Sequence, residues 1–399
     1  MSAESEPGDG PEITAPDFYR YRWQPLVAAT LAERFVTCRW ADGLEMAAYD
    51  LWLRENAVGP SVDPTTRECV IDPADLDPAV VAARTVEVDA NGTLVVHWQD
   101  ETTTTHHPGW LRHVADGAHR AEAWLPRPVP WLARDLGDGP PTHDGSEPDT
   151  RPAVVARWVE DLTRYGVARL RGLGTELDTV GRVAELIGPM RDTNFGLTWD
   201  VKAAPEPDTT ANTTHRLAPH TDLPTRELPP GFQFLHCVAN TVDGGWSTMA
   251  DGMAVVEHLA DDHPEHYEAL TTLRWVFFNR GPAVDHRWSG PIIDDIGGTL
   301  TLRAFHPVRG FPDMDPDDVP RAYAALRCFS SVAAADRFQL RFPFRPGDLV
   351  GFDNRRILHG RDGYASAGLR HLRGCYLDHD DLYSYARQQA RARAARLNQ

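Results

Sequence analysis

His220 and Asp222 stand one residue apart in APHTDLP, residues 218–224, bracketed by Pro219 and Pro224. On an extended strand, side chains two residues apart leave the same face, so an imidazole and a carboxylate at this spacing can meet one metal ion. A third ligand is available in VGFDNRRILHGRDGY, residues 350–364, where His359 lies 139 residues after His220. Two imidazoles and one carboxylate on one side of an octahedral ion are the facial triad of non-haem Fe(II) oxygenases, which keeps positions open for a bidentate cosubstrate and O2. Arg370, eleven residues after His359, could hold the far carboxylate of such a cosubstrate from a neighbouring strand. A lone H-x-D carries little weight in a chain with 17 histidines, because most histidines are simply packed or solvated. Its setting adds weight: an apolar strand starts at Phe232, and the second histidine comes just after a strand that opens with Gly-Asp.

The elements that must position these residues fall into two groups, since 399 residues exceed one ordinary core. Residues 1–17, rich in Glu, Gly, Pro and Ser, are expected to be disordered. Residues 18–132 read as a small β-rich domain. Within it TVEVDANGTLVVHW alternates about Asn91-Gly92, a hairpin signal in which both turn residues are expected at positive φ. EMAAYDLWLREN has no clear period and stays open, whereas ETTTTHHPGWLRHVADGAHRAEAWL reads as a strand followed by a helix. Residues 133–152, dense in Pro, Gly and Asp, are expected to be the linker.

The second domain, residues 153–399, opens with VVARWVEDLTRYG, apolar at helical spacing and stopped by Gly166. A strand, VARLRGL, and a second helix, TVGRVAELIG, come next, with Thr179 as the expected N-cap. From about residue 193 short strands dominate. The fold class expected is mainly β with flanking helices: a double-stranded β-helix (jelly roll) catalytic domain preceded by the small β-rich domain.

Composition narrows the partners. The chain is 42% hydrophobic and 25% charged with a net charge of -18, which argues against nucleic acid and anionic membranes. An acidic start without an apolar signal-peptide core, and no apolar run of spanning length, point to a cytoplasmic protein. Five scattered cysteines without a C-x-x-C pair support neither a disulfide framework nor a cysteine-rich zinc site.

At this point the strings PHTDLP, PPGFQFLHC, TVDGGWSTMADG, FDNRRILHGRDGY and RHLRGCYLDHDDLYS, in this order, carry a resemblance. The C-terminal two-thirds resembles the taurine-dioxygenase-like superfamily of Fe(II)/2-oxoglutarate oxygenases, and more narrowly the γ-butyrobetaine and trimethyllysine hydroxylase group. DLWLREN and PTTRECVID are similar to that group's accessory domain. The resemblance implies that His220, Asp222 and His359 bind Fe(II), that Arg370 binds the distal carboxylate of 2-oxoglutarate, and that Leu235 and Arg361 wall the same pocket. It also implies hydroxylation of an unactivated C–H bond with release of succinate and CO2, stimulation by ascorbate, and a homodimer. Asp222 leaves no ligand position for halide, which argues against a halogenase.

Two departures from the group matter. Where its accessory domain often binds zinc, this chain has Ala57, Gly59, Val62 and Thr102, none of which ligates as a thiolate or imidazole would; no structural zinc is expected. Where betaine hydroxylases have an aromatic cage, it has Phe195, Trp199, Asn212, Leu223 and Tyr376. Two non-aromatic residues weaken the case for a trimethylammonium substrate. Arginines crowd the same region (Arg191, Arg216, Arg226, Arg280, Arg287 and Arg303), and Arg216 and Arg303 are the candidate anion contacts. The substrate expected is therefore a small amine, betaine or amino-acid-like metabolite, or alternatively a phosphorylated or phosphonate compound oxidised to an aldehyde. A metal-binding jelly roll without turnover and a zinc hydrolase on the same ligands are the rival classes.

Overall fold

Strand-and-turn patterning in the first 120 or so residues produces two small antiparallel sheets. The computed structural model describes residues 13–148, 151–203, 210–279, 283–304, 310–365 and 368–397. They form two units that divide between Ala123 and Trp124. In the first, β1 (Leu26–Ala32), β2 (Phe35–Trp40) and β3 (Glu45–Tyr49) make one sheet, followed by α1 (Asp50–Glu55). β4 (Ala83–Val88), β5 (Leu94–Trp98) and β6 (Thr103–His106) make the other, and α2 (Pro108–Ala115) follows. Trp40, Trp98, Trp110, Leu53 and Leu94 are buried in one core.

Three expectations are refined in this unit. EMAAYDLWLREN is half strand and half helix: β3 gives way to α1 at Asp50, whose buried carboxylate accepts from Arg34 at 2.6 Å and from the Ala83 N–H at 3.0 Å. The β4–β5 hairpin forms, but of its two turn residues only Gly92 has positive φ (80°). The Asp89 carboxylate accepts from the Asn91 and Thr93 N–H groups, so a longer loop with one left-handed residue replaces the two-residue turn. Residues 1–12 of the expected disordered tail lie outside the described residues. Ala15 is buried in the core, and Asp17 accepts from the Tyr21 hydroxyl at 2.6 Å.

The linker expected at 133–152 is corrected. α3 (Ala133–Leu136) and β7 (Thr142–Asp144) lie within the second unit, and β7 pairs in parallel with β8 (Val167–Arg171). A three-residue edge strand is too short to show a period, so its Pro and Gly neighbours hid it. α4 (Pro152–Tyr165) ends at Gly166 in the left-handed region (φ 72°) as its sequence predicts. Thr179 is the first residue of α5 (Thr179–Glu185) rather than its cap; Asp178 holds the cap position, and the Thr179 hydroxyl donates to Glu176.

β9 (Thr198–Lys202), β10 (Leu217–His220), β11 (Phe232–Asn240) and β12 (Ser247–Asp251) come next. After them α6 (Gly252–Asp262), α7 (Pro264–Thr272), β13 (Trp275–Phe278), β14 (Arg287–Gly290), β15 (Ile293–Ile296), β16 (Thr299–Leu302), β17 (Gly310–Pro312) and α8 (Val319–Ala333) form an excursion. It has a core of its own around Trp275, Phe277, Leu302 and Phe329. The chain closes with β18 (Leu340–Phe342), β19 (Leu349–Asp353), β20 (Ile357–Arg361), β21 (Arg370–Leu377) and α9 (His379–Leu397).

Two sheets carry the site. One has the order β7-β8-β19-β11-β21-β9 and the other β10-β20-β12-β18. Leu235, Val350, Phe352 and Leu372 of the larger sheet share a buried core with Met249, Leu340, Phe342 and Ile357 of the smaller, the double-sheet arrangement of a jelly roll. The opposite face of the larger sheet packs Phe232 and Phe234 against Trp158 and Leu162 of α4 and Leu382 of α9.

Candidate metal centre

His220 ends β10 and His359 sits in β20, directly opposite in the antiparallel register. Their ring centroids are 4.2 Å apart. Asp222 lies beyond the strand end, in a bend, so the expected shared face of one extended strand is not how it reaches the histidines. The chain turns instead: Leu223 takes a left-handed φ of 52°. Asn354 clamps Asp222, accepting from its N–H at 2.7 Å and donating to its carbonyl at 3.0 Å. The Asp222 Oδ1 then stands 3.5 Å from His220 Nε2 and 3.7 Å from His359 Nε2. Metal bonds of ~2.1 Å at right angles would place donor atoms about 3 Å apart, within a small side-chain adjustment of this arrangement. Among the described residues this is the one set of three such side chains whose ligand atoms all lie within 4.8 Å of one another.

The surroundings leave these groups in ligating form. His220 Nδ1 is 2.9 Å from the Ala218 carbonyl, which places a proton there and turns Nε2 toward the Asp222 carboxylate. Burial pushes His359 down to about 3, with the His220 charge acting the same way, so its imidazole is neutral. Burial alone would raise the Asp222 carboxyl, but His359, His220 and the Tyr376 hydroxyl outweigh it and hold the group well below the usual carboxylate range. Tyr376 donates to Asp222 Oδ2 at 2.8 Å, and burial raises its own phenol well above 10.

The turn from β19 to β20 that delivers His359 is fastened residue by residue. Asp353 pairs with His379 at 3.0 Å, Asn354 also reaches the Pro230 carbonyl, and Arg355 donates to the Pro229 carbonyl. Arg356 forms a buried two-pronged pair with Asp251 at 2.7 and 2.8 Å. Such a buried pair defines geometry more than it adds stability, and loss of either partner would strand a charge.

The triad opens on a cavity of about 500 Å³ also lined by Leu217, Gln233, Leu235, Ser247, Arg361, Arg370 and Leu372. Arg370 begins β21 and is 4% exposed. It makes one long bond, to Ser247 Oγ at 3.4 Å, and its Nε is buried with no partner among the described residues. Arg361 lines the cavity too, but its two terminal nitrogens are taken by the carbonyls of Ala211, Thr213 and His215. It secures the 211–215 loop rather than offering a free guanidinium.

Of the expected substrate residues, Phe195, Trp199, Asn212, Leu223 and Tyr376 all line the cavity. Arg216 and Arg303 do not. Arg216 is exposed, and Arg303 is fully buried with its two terminal nitrogens on the carbonyls of Pro224, Arg226 and Glu227. Arg191 and Arg287 are paired with Asp378 and Asp285, and Arg226 donates to Asn194. Arg280 lies outside the described residues. The case for a phosphorylated or phosphonate substrate loses the arginines on which it stood. Asn354, Ser247 and Gln233 were missed from sequence; only the position of Asn354 between Asp353 and the arginines hinted at a clamp.

The family model described as "Taurine catabolism dioxygenase TauD, TfdA family" matches residues 132–376. The gamma-butyrobetaine dioxygenase of Pseudomonas sp. (strain AK-1) is 36% identical over 367 residues, covering 90% of this chain and 95% of that protein. The Homo sapiens gamma-butyrobetaine dioxygenase is 29% identical, covering 87% and 92%. The mitochondrial trimethyllysine dioxygenase of Rattus norvegicus is 27% identical, covering 89% and 88%.

Proposed function

The chain belongs to the TauD/TfdA dioxygenase family, and from that premise we propose how its own residues serve an Fe(II)/2-oxoglutarate-dependent hydroxylation of a small polar metabolite. His220 and His359, through Nε2, and Asp222, through its carboxylate, hold the ferrous ion. Arg370 takes the distal carboxylate of 2-oxoglutarate, with Ser247 beside it and Leu235 and Leu372 as apolar walls. When bound, the metal and cosubstrate supply the oxidising chemistry, coupling decarboxylation to succinate and CO2 with hydroxylation. The protein's part is position and exclusion. Tyr376 and Asn354 set the carboxylate and backbone of Asp222, and Trp199, Phe195 and Leu223 line the space left for a substrate.

One observation carries this reading: a neutral-imidazole, carboxylate and imidazole set shares a cavity with a buried, incompletely paired guanidinium. A binding protein or a hydrolase on the same ligands has no use for that guanidinium. Replacement of His220 or His359 by Ala is expected to abolish succinate release from 2-oxoglutarate; undiminished release in either variant would discard the assignment.

Around the accessory positions the chain supports a zinc-free fold. Ala57 and Val62 are buried, and Arg54 donates to the Thr102 hydroxyl and to Asp100. We read the protein as a cytoplasmic homodimer; the dimer and its stimulation by ascorbate follow from the resemblance. Among the described residues no helix is long and apolar enough to cross a membrane.

A further inference from the structure

Gln233 is a cavity group that the reaction just described leaves unused. It lies on β11 two residues before Leu235, so both point inward while Phe232 and Phe234 face the helices. Its register partners are Phe352 on β19 and Tyr376 on β21. Phe352 packs on the His359 ring at 4.8 Å and Tyr376 donates to Asp222, so Gln233 sits between the supports of two metal ligands. The side chain is 2% exposed and lines the cavity, and its carbonyl oxygen is buried with no hydrogen-bond partner among the described residues. A buried amide oxygen left unpaired is costly, and at a cavity wall a ligand can repair it. What satisfies an acceptor is a donor, N–H or O–H.

The aromatic residues point the same way. Trp199 and Tyr376 stack on each other, with centroids 4.1 Å apart and planes 28° apart. Trp199 also lies over Gly374, where an added Cβ would come within 2.9 Å of its ring. Both rings therefore spend surface on the protein, and Phe195 is 42% exposed. Attraction for a fully alkylated ammonium grows with the open ring faces around it, and here Asn212 and Leu223 take two of the places.

We propose that Gln233 is a specificity-determining residue that accepts a hydrogen bond from an N–H or O–H group of the substrate. The enzyme then prefers a primary or secondary amine, an amide or a hydroxylated metabolite to a quaternary ammonium compound. This rests on the dioxygenase reading above.

The test uses 4-aminobutyrate and its N-methyl, N,N-dimethyl and N,N,N-trimethyl derivatives, which share one carbon chain and lose donors stepwise. Binding to protein loaded with Fe(II) and 2-oxoglutarate is measured anaerobically by calorimetry, and turnover by product mass and succinate. Wild type is expected to bind the N–H-bearing members at least about tenfold more tightly than the trimethyl member, the worth of one buried hydrogen bond. Gln233→Met, similar in shape but without the amide, is expected to bring that ratio to about one. Gln233→Glu keeps an oxygen acceptor, retains the preference, and reports independently should the Met variant fail to fold. Equal or tighter binding of the trimethyl member by wild type, a preference that survives in Gln233→Met, or no binding of any N–H-bearing member overturns the proposal. Absence of 2-oxoglutarate-dependent succinate release from iron-loaded wild type would strike the dioxygenase reading instead.

Discussion

Replacing Arg370 probes the cavity through a group whose energetics are visible in the fold. Burial lowers its pKa to about 10, with the Arg361 charge acting in the same direction, so it remains a cation at neutral pH. Its one bond, to Ser247 at 3.4 Å, is long, and Nε has none among the described residues. On the reading proposed above, an incoming carboxylate would complete the pairing of this buried charge. Truncating one partner of a buried, hydrogen-bonded charge pair costs about 2–5 kcal/mol, or roughly 30- to 4,000-fold at about 1.4 kcal/mol per decade. In Arg370→Ala the 2-oxoglutarate concentration for half-maximal succinate release is expected to rise by that factor, while ferrous ion still binds. Arg370→Lys restores a point charge without the planar fork and should fall between. A second readout separates binding from folding. Arg370→Met removes a buried, poorly paired cation, so the ligand-free variant should melt no lower than wild type, and the rise in Tm that 2-oxoglutarate gives wild type should vanish. A 2-oxoglutarate requirement within about threefold of wild type, or a ligand-free Arg370→Met protein that melts several degrees lower with cosubstrate binding intact, would refute the reasoning.

Asn354→Ala removes both bonds that hold the Asp222 backbone; iron affinity, followed by titration under argon, is expected to fall about 10- to 100-fold, as for other supports of metal ligands. Arg303→Met leaves the carbonyls of Pro224, Arg226 and Glu227 without their donor. It should cost about 2–4 kcal/mol in denaturant unfolding while shifting the 2-oxoglutarate requirement little, since Arg303 does not line the cavity. Burial lowers His106 in the first unit to about 4. The unfolded chain therefore takes up a proton below about 6.5 that the fold refuses. Stability from this group is fully present above that pH, falls as pH drops from about 6.5 to 4, and is flat below. His106→Gln should reduce that acid-side slope, an effect of roughly 3 kcal/mol at most, read from urea midpoints across the range.

Local signals were legible in the chain because they are local. Alternation located β4 and β5, short apolar runs marked β11 and β19, and Gly166 marked the end of α4, since side-chain pattern and left-handed φ are properties of neighbours in sequence. β7 escaped because three residues hold no period. The candidate metal ligands were legible for a different reason: a facial triad requires residue types that are few, two of them one residue apart, and an arginine one strand after the third fits the same pattern. The remaining arginines show where that logic stops. Arg303, Arg355, Arg356, Arg361 and Arg370 are all buried, and nothing in their immediate sequence separates the four that fasten carbonyls or Asp251 from Arg370, which reaches only the Ser247 hydroxyl. What separates them is whether backbone acceptors arrive from distant segments: Asn354 and Asp222 meet across 132 residues, and Arg356 and Val129 across 227. A buried donor is committed to structure when the fold brings it acceptors, and one left over at a cavity wall is where a ligand can supply the partner. On the proposed reading that criterion leaves Arg370 for a cosubstrate and points to Gln233 at the same cavity wall, whereas Arg216 is exposed and Arg303 is fastened to three carbonyls away from the cavity, so neither is the anion contact expected from proximity in sequence.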